Sequence, residues 1–140
     1  MLDLSKIQYI ELLSKLLEAT FALTSQVFNA STIATKLQMN RITAIDYLSL
    51  LEYQFLIDRI PEWSTNRIKR LIKTPKIYAG DTGFACALLH QNRSSLLKNR
   101  TLYGPFVETF VFQELRRQAS ASEDYYSFFH FRVVMVLKLI

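Results

Sequence analysis

Residues Thr32 to Ile60 read TIATKLQMNRITAIDYLSLLEYQFLIDRI, and this stretch decides what kind of chain it belongs to. Asn29, Ala30 and Ser31 offer capping residues ahead of a short helical segment, TIATKL. Gln38, Met39 and Asn40 separate it from a longer helix expected from Arg41 to Tyr53. In the register of two closely joined helices, Ala34 takes the small-residue position and Leu37 packs inward, while Ala44, Tyr47, Leu48 and Leu51 form the inner face of the second helix. Beyond them Phe55, Leu56, Ile57, Arg59 and Ile60 are apolar and β-branched enough for a strand, which Pro61 ends.

Toward the N-terminus, Ile7, Ile10, Leu13, Leu17 and Phe21 follow helical spacing, widened by Leu12 and Leu16, with Lys6, Glu11, Lys15 and Glu18 mostly off the stripe. Toward the C-terminus, Ile77, Tyr78 and Ala79 make a return strand after Pro75, with a polar, basic loop between the two strands. Helix, helix, helix, strand, loop, strand is the order of a winged helix. Asp81, Thr82 and Gly83 break the pattern, Phe84 to Leu89 is a short helix, and Gln91 to Thr101 reads as a connector. After Gly104 and Pro105, the residues Phe106, Val107, Phe110, Val111 and Leu115 form a helical stripe ending at Arg116 and Arg117. Tyr126 to Arg132 alternate as a strand of mixed burial. The expected fold class is therefore α+β and mainly helical. Residues 1–80 are expected to form a winged-helix-like segment, and residues 81–140 to open a second domain.

Half of the 140 residues are apolar, enough for a core, and 17 Lys and Arg against 12 Asp and Glu give a net charge of +5, which favours polyanionic partners without requiring them. Cys86 is the single cysteine and sits in the apolar run FACALL, so a reducing, cytoplasmic setting is expected. The N-terminus carries Asp3, Lys6, Gln8 and Glu11 and lacks the unbroken apolar core of a signal peptide. Phe128 to Ile140 is apolar but short and is interrupted by His130, Arg132 and Lys138, so no membrane span is expected.

Reading DNA would require basic or amide groups on the outer face of the second helix of the pair. That face holds Asn40, Arg41, Ile42, Ile45, Asp46 and Ser49. Asn40 and Arg41 suit a groove, Asp46 is repelled by phosphate, and Ile42 and Ile45 gain more by packing on protein. The strand-to-strand loop points the other way. Arg59, Arg67, Lys69, Arg70, Lys73 and Lys76 concentrate charge there, with Asp58 and Glu62 as the nearby acids and Trp63 placed to stack or to anchor. A solvated basic wing with Trp63 packed on its own domain accounts for the same residues.

Chemistry is thinly represented. There is no Gly-rich phosphate loop, so no nucleotide site is expected in this chain. His90 and His130 lie forty residues apart without carboxylates or thiols at ligand spacing, and no metal or other cofactor is expected. Glu108 and Glu114 project from different helix faces.

The segments SLLEYQFLIDRIPEWSTNRIKRLIKTPKIYAGDTGFACALL (Ser49 to Leu89), GPFVETFVFQELRRQ (Gly104 to Gln118) and YYSFFHFR (Tyr125 to Arg132) together resemble DUF4143, the C-terminal region of a prokaryotic family of AAA+-type ATPases, most specifically over Lys69 to Leu89. The resemblance implies a P-loop domain ahead of this chain and a PD-(D/E)XK nuclease-like domain opening at residue 81, with Glu108 as a remnant of the nuclease site. It also implies truncation at both ends. The tail VVMVLKLI, residues 133–140, departs from that family, and one permitted codon reading in another frame restores Asp-Gly-Val-Glu-Val-Asp, so a frameshift near Arg132 is expected. Left as the end of an unpaired strand, Phe128 to Ile140 predicts self-association or aggregation.

Three functions follow from these readings. The first is a non-catalytic, winged-helix protein-interaction or nucleic-acid-binding module of that family, contacting protein through Ile42, Ile45 and Trp63. The second is a small DNA-binding protein using Arg41 and the basic wing. The third is a metal-dependent nuclease built around Glu108.

Overall fold

All five asparagines of the chain start helices: Asn29, Asn40, Asn66, Asn92 and Asn99 are N-caps whose side chains accept from backbone N–H groups of the first turn, and Asp81 does the same for a sixth helix. The computed structural model describes residues 4–132. Its elements run α1 (Leu4–Ala22), β1 (Gln26–Val27), α2 (Ala30–Lys36), α3 (Arg41–Tyr53), β2 (Ile57–Ile60), α4 (Arg67–Ile72), β3 (Lys76–Ala79), α5 (Thr82–Leu88), α6 (Arg93–Lys98) and α7 (Arg100–Ser120).

The helix ends are as regular as the starts. After α2, α3 and α5 the chain turns left-handed at Gln38, Phe55 and His90, with φ of 53°, 59° and 53°. Each end closes with the paired reverse bonds of a Schellman motif, for example Leu56 N to Leu51 O and Phe55 N to Glu52 O, both at 3.0 Å. None of the three is glycine, so each turn carries a local strain of about 1 kcal/mol.

Strand β3 lies at the centre of an antiparallel sheet of order β1-β3-β2, with Gln26 opposite Ile77 on one side and Ile57 opposite Ala79 on the other. Strand β1 is too short to cover Ala79. Side chains finish the edge instead: Ala79 N–H donates to Thr24 Oγ1 at 2.9 Å, and Ala79 C=O accepts from Gln113 Nε2 at 2.9 Å. Thr24 in turn donates to Thr109 Oγ1 at 2.7 Å, and Thr109 donates to Pro105 O at 2.8 Å, so all these buried groups are satisfied. Gln113 and Arg116 also reach Asp58 Oδ2, at 2.9 and 2.7 Å. Helix α7 is thus fastened across the sheet by polar side chains.

One apolar cluster, including Leu16, Phe21, Ile33, Leu48, Leu51, Ile57, Ile77, Ala85 and Phe106, spans the turn at residues 80 and 81 and joins α1 to α7. The inner positions expected for the helix pair, Ala34, Ala44, Leu48 and Leu51, are buried.

Five local expectations are corrected. The basic loop between β2 and β3 contains α4, and the expected connector contains α6. Helix α7 begins at Arg100 rather than after Pro105, because Asn99 caps it and the missing N–H of a proline near a helix start leaves only one bond unmade. Its buried face is Phe106, Thr109, Phe112 and Gln113, whereas Val107, Phe110, Val111 and Leu115 of the expected stripe are exposed, because the open sheet edge selects the side that carries hydrogen-bonding groups. Tyr126 to Arg132 forms no strand. It makes only a bridge at His130, whose N–H donates to Pro61 O at 3.0 Å and whose C=O accepts from Trp63 N at 2.8 Å, and Pro61 has no N–H with which to extend the pairing. The remainder of the expected strand, and the tail 133–140 with its frameshift reading, lie outside the described residues.

Candidate functional site

Helix α4 is held by its charged side chains and exposes its apolar ones. The Arg70 guanidinium sits between two rings, 4.1 Å from the centroid of Trp63 and 5.0 Å from that of Phe129, and its Nε donates to the Ser64 carbonyl. Trp63 and Phe129 meet edge to face at 5.1 Å. Just past the helix, Lys73 Nζ donates to Glu62 Oε1 at 2.7 Å, which holds the Glu62 carboxyl below the usual range. Meanwhile Ile68, Leu71 and Ile72 are 69%, 86% and 76% exposed, and nothing on α4 is buried. Leaving a large aliphatic side chain in water forgoes about 1.5–3 kcal/mol of burial. Three such groups together on one short helix form a patch rather than scattered exposure.

Across from α4 stands the start of α3. The two enclose a cleft of about 410 Å³, lined by Arg41 and Ile45 on the α3 side and by Leu71, Ile72 and Lys73 on the other, with Phe28 and Arg59 also in its wall. No carboxylate lines it among the described residues. Ile42, beside Arg41, is 69% exposed and continues the apolar surface along α3.

The basic residues expected to form one patch divide into two groups. Arg59 is paired with Glu52, Lys73 with Glu62, and Lys76 with Glu108, while Arg70 is spent on Trp63 and Phe129. Arg41, Arg67 and Lys69 have no ion pair among the described residues. Asn40, which suited a DNA groove, uses its side chain to cap α3, accepting from Ile42 N at 2.8 Å. Trp63 meets Arg70 and Phe129 and stays partly exposed.

Glu108 lies away from this cleft. Its Oε1 accepts from Lys76 Nζ at 2.9 Å and from Tyr78 Oη at 2.8 Å. Burial opposes its charge, yet these two bonds outweigh burial and hold the carboxyl below the usual range. Burial, followed by the bond to Glu108, pushes the Tyr78 phenol well above its ordinary value. The carboxylate clamps α7 to β3. His130 is buried with no hydrogen-bond partner for Nε2 among the described residues, and burial, then the Lys76 charge, lower its pKa. Burial and then Asp81 push the Cys86 thiol up, away from reactivity. No group of three or more His, Cys, Asp or Glu that could hold a metal ion occurs among the described residues, and none of their helices is long and apolar enough to cross a membrane.

The residues that sequence reasoning missed are Ile68, Leu71 and Ile72. Their signal was present: a capping asparagine at 66, then apolar residues spaced i, i+3 and i+4. The density of charge around them favoured a loop.

Fold and site together define an α+β chain, mostly helical, built round a small antiparallel sheet that presents a basic and apolar cleft. Over residues 1–95 it matches the model of a domain of unknown function, DUF8612, and the chain belongs to that family. This corrects the resemblance to DUF4143, for which no match is found. The ATPase context, the nuclease-like continuation, the truncation and the frameshift inferred from that resemblance lose their ground with it. At 30% identity over 101 residues the chain is also similar to an uncharacterized protein of Mycobacterium tuberculosis, Rv2008c, and to one of Mycobacterium bovis, Mb2031c. The aligned part is 72% of this chain and 23% of each relative, so the chain spans about a quarter of their length. No solved structure matches it.

Proposed function

We propose that this chain is a non-catalytic, winged-helix-like protein-interaction module whose contact surface is the outer face of α3 and α4 with the cleft between them. The observation that carries the reading is the exposure of Ile42, Ile68, Leu71 and Ile72 about one cleft, while Asn40 and Arg70 beside them are engaged within the chain. A phosphate surface gains nothing from four large aliphatic groups, whereas a protein surface gains their burial. The winged-helix likeness is supported by the order helix, strand, helix, helix, strand, helix, strand with β3 between β1 and β2, in which residues 61–75, with α4 among them, occupy the place of the wing. The non-catalytic reading is supported by the engagement of Glu108 with Lys76 and Tyr78.

Selection of peptides from a random displayed library against the immobilised protein tests this. Recovered peptides should lose binding to a Leu71→Ser/Ile72→Ser variant that keeps its circular dichroism. The second reading, a nucleic-acid-binding wing, rests on the unpaired Arg41, Arg67 and Lys69. Tight, salt-sensitive retardation of duplex or single-stranded DNA, abolished by neutralising those three residues, would establish it in place of the first.

A further inference from the structure

We infer that the cleft between α3 and α4 is shaped for an acidic amphipathic helix, a partner segment with apolar residues along one face and carboxylates beside them. The inference rests on the protein-interaction reading and adds the chemistry of the partner. Both halves of the match are on the surface. The apolar half is Ile45, Leu71 and Ile72 in the cleft wall, extended by Ile42 and Ile68. The charged half is Arg41 within the cleft and Arg67 and Lys69 on the flank of α4, the three basic residues of this region with no carboxylate of their own.

Neighbouring charges sharpen the selectivity. Arg59 and Lys73 line the same cleft, and their pairing to Glu52 and Glu62 leaves the lining without any acidic group. A basic segment entering here meets the unpaired Arg41, with Arg67 and Lys69 on the flank, and no free carboxylate in the described lining to offset them. Asp46, on the exposed side of α3 and without an ion pair among the described residues, is the one nearby acid facing solvent. An acidic segment exchanges solvated charges for rim ion pairs, each contributing modestly, while its apolar side supplies most of the affinity. A groove accepting an amphipathic helix through spaced apolar anchors is a recurrent arrangement. The sign of the rim charges then chooses among helices with similar apolar faces. A second copy of this chain is a poorer occupant, because it carries the same net charge of +5 and the same cationic rim.

Three fluorescein-labelled synthetic peptides and the 140-residue chain provide the test by fluorescence anisotropy. All share one composition of leucine, isoleucine and alanine. The first has an apolar stripe at helical spacing with glutamates beside it, the second replaces the glutamates with lysines, and the third keeps the glutamates but scrambles the stripe. The acidic amphipathic peptide should bind at least about tenfold more tightly than the basic one, as expected for three rim pairs of modest strength each. It should also bind more tightly than the scrambled peptide, and more weakly as salt is raised. Arg41→Glu/Lys69→Glu should invert the preference for acidic over basic, and Leu71→Ser/Ile72→Ser should weaken both amphipathic peptides alike. Equal binding of the acidic and basic stripes, lost in the Leu71/Ile72 variant, would overturn this inference while leaving the protein-interaction reading in place. Binding of the scrambled acidic peptide as tightly as the striped one, together with competition by DNA, would overturn both. Concentration-dependent dimerisation that the peptide does not compete for, but that Leu71→Ser/Ile72→Ser abolishes, would assign the surface to a second copy.

Discussion

Replacing Gly80 with alanine should cost the fold about 3 kcal/mol, while the same replacement at Gly104 should stabilise it. Gly80 follows β3 and closes onto the left-handed turn that ends α3. A Cβ built there would lie 2.3 Å from the Phe55 carbonyl oxygen and 3.1 Å from that of Leu56, both backbone atoms. An ordinary carbon to oxygen contact is about 3.3 Å or more, so the two chain segments would have to separate by roughly 1 Å. That movement stretches the bond from Gly80 N to Leu56 O, now 2.8 Å, beside the register pair Ile57 and Ala79. Forced repacking costs about 1–3 kcal/mol and a stranded backbone group about 1–3 kcal/mol, which together centre near 3 kcal/mol when they partly overlap. Gly104 lies inside α7, where an added Cβ meets nothing within 4 Å beyond its own helix and the following Pro105, whose ring crowds a preceding Cβ and offsets part of what alanine adds. There alanine gains about 0.8–1.0 kcal/mol of helix propensity. Guanidinium unfolding followed by far-UV circular dichroism reads both. Opposite signs are expected, and a Gly80→Ala protein within about 0.5 kcal/mol of the parent would refute the close approach on which the reasoning stands.

Phe55→Gly should raise stability by about 0.5–1 kcal/mol by relieving the left-handed turn after α3, since the ring is exposed; a loss in the same unfolding assay would mean that the ring contributes more than its exposure suggests. Thr24→Val should cost about 1–3 kcal/mol, because the isosteric side chain leaves the Ala79 N–H without an acceptor, while the Thr109 hydroxyl loses one partner and keeps its bond to Pro105 O; hydrogen exchange at Ala79 should accelerate accordingly. Glu108→Gln should cost about 1 kcal/mol near neutral pH, allowing for partial exposure of the side chain. Because the folded carboxyl titrates below its unfolded value, the folded state holds fewer protons through the acid range. The Glu108 contribution is therefore complete above the unfolded glutamate pKa of about 4.3 and is lost as pH falls through the folded pKa, so parent and variant should converge in acid. His130 has the same sign: its lowered pKa makes the neutral form part of the folded state, so stability should decline as pH drops below about 6.5, and His130→Phe should flatten that decline in a pH series of melting temperatures. Arg70→Met keeps the length of the side chain and removes its charge; emission from Trp63, the single tryptophan, should shift while the midpoint of unfolding moves by less than about 1 kcal/mol.

Much of the fold was legible because the sequence states it twice, once in periodicity and once in punctuation. Asn29 and Asn40 mark the two closely joined helices, the apolar positions from Ala34 to Leu51 assign their inner faces, and Pro61 and Pro75 bracket the two longer strands. Strand β1 has only two residues, Gln26 and Val27, and its pairing depends on β3, some fifty residues away, so no local pattern announces it. The α7 stripe misled for a physical reason. Apolar spacing shows which side of a helix prefers to leave water, but the sheet offered an unpaired Ala79 and a carboxylate at Asp58, and only the side with Thr109, Gln113 and Arg116 could satisfy them. The candidate site was legible in part: Arg41, Ile42 and Ile45 were picked out from the outer face of α3, while Leu71 and Ile72 were lost within a run of positive charge. The family reading failed because it rested on the order of short motifs built from common residues, while the family model that matches, over residues 1–95, is a different one.

The way α7 fastens the sheet has a consequence for the order of events as the chain is made. Ala79 has left the ribosome well before Gln113 and Arg116 follow, and in that interval its carbonyl and the Asp58 carboxylate have only water to bond. A sheet completed by a helix that arrives thirty-odd residues later cannot close cooperatively until synthesis has passed residue 116. The nascent chain should therefore pass through a stage in which the small sheet is assembled but still open along one margin. The main peak in arrest-peptide force measurements, marking cooperative closure, should fall after α7, not after the last strand.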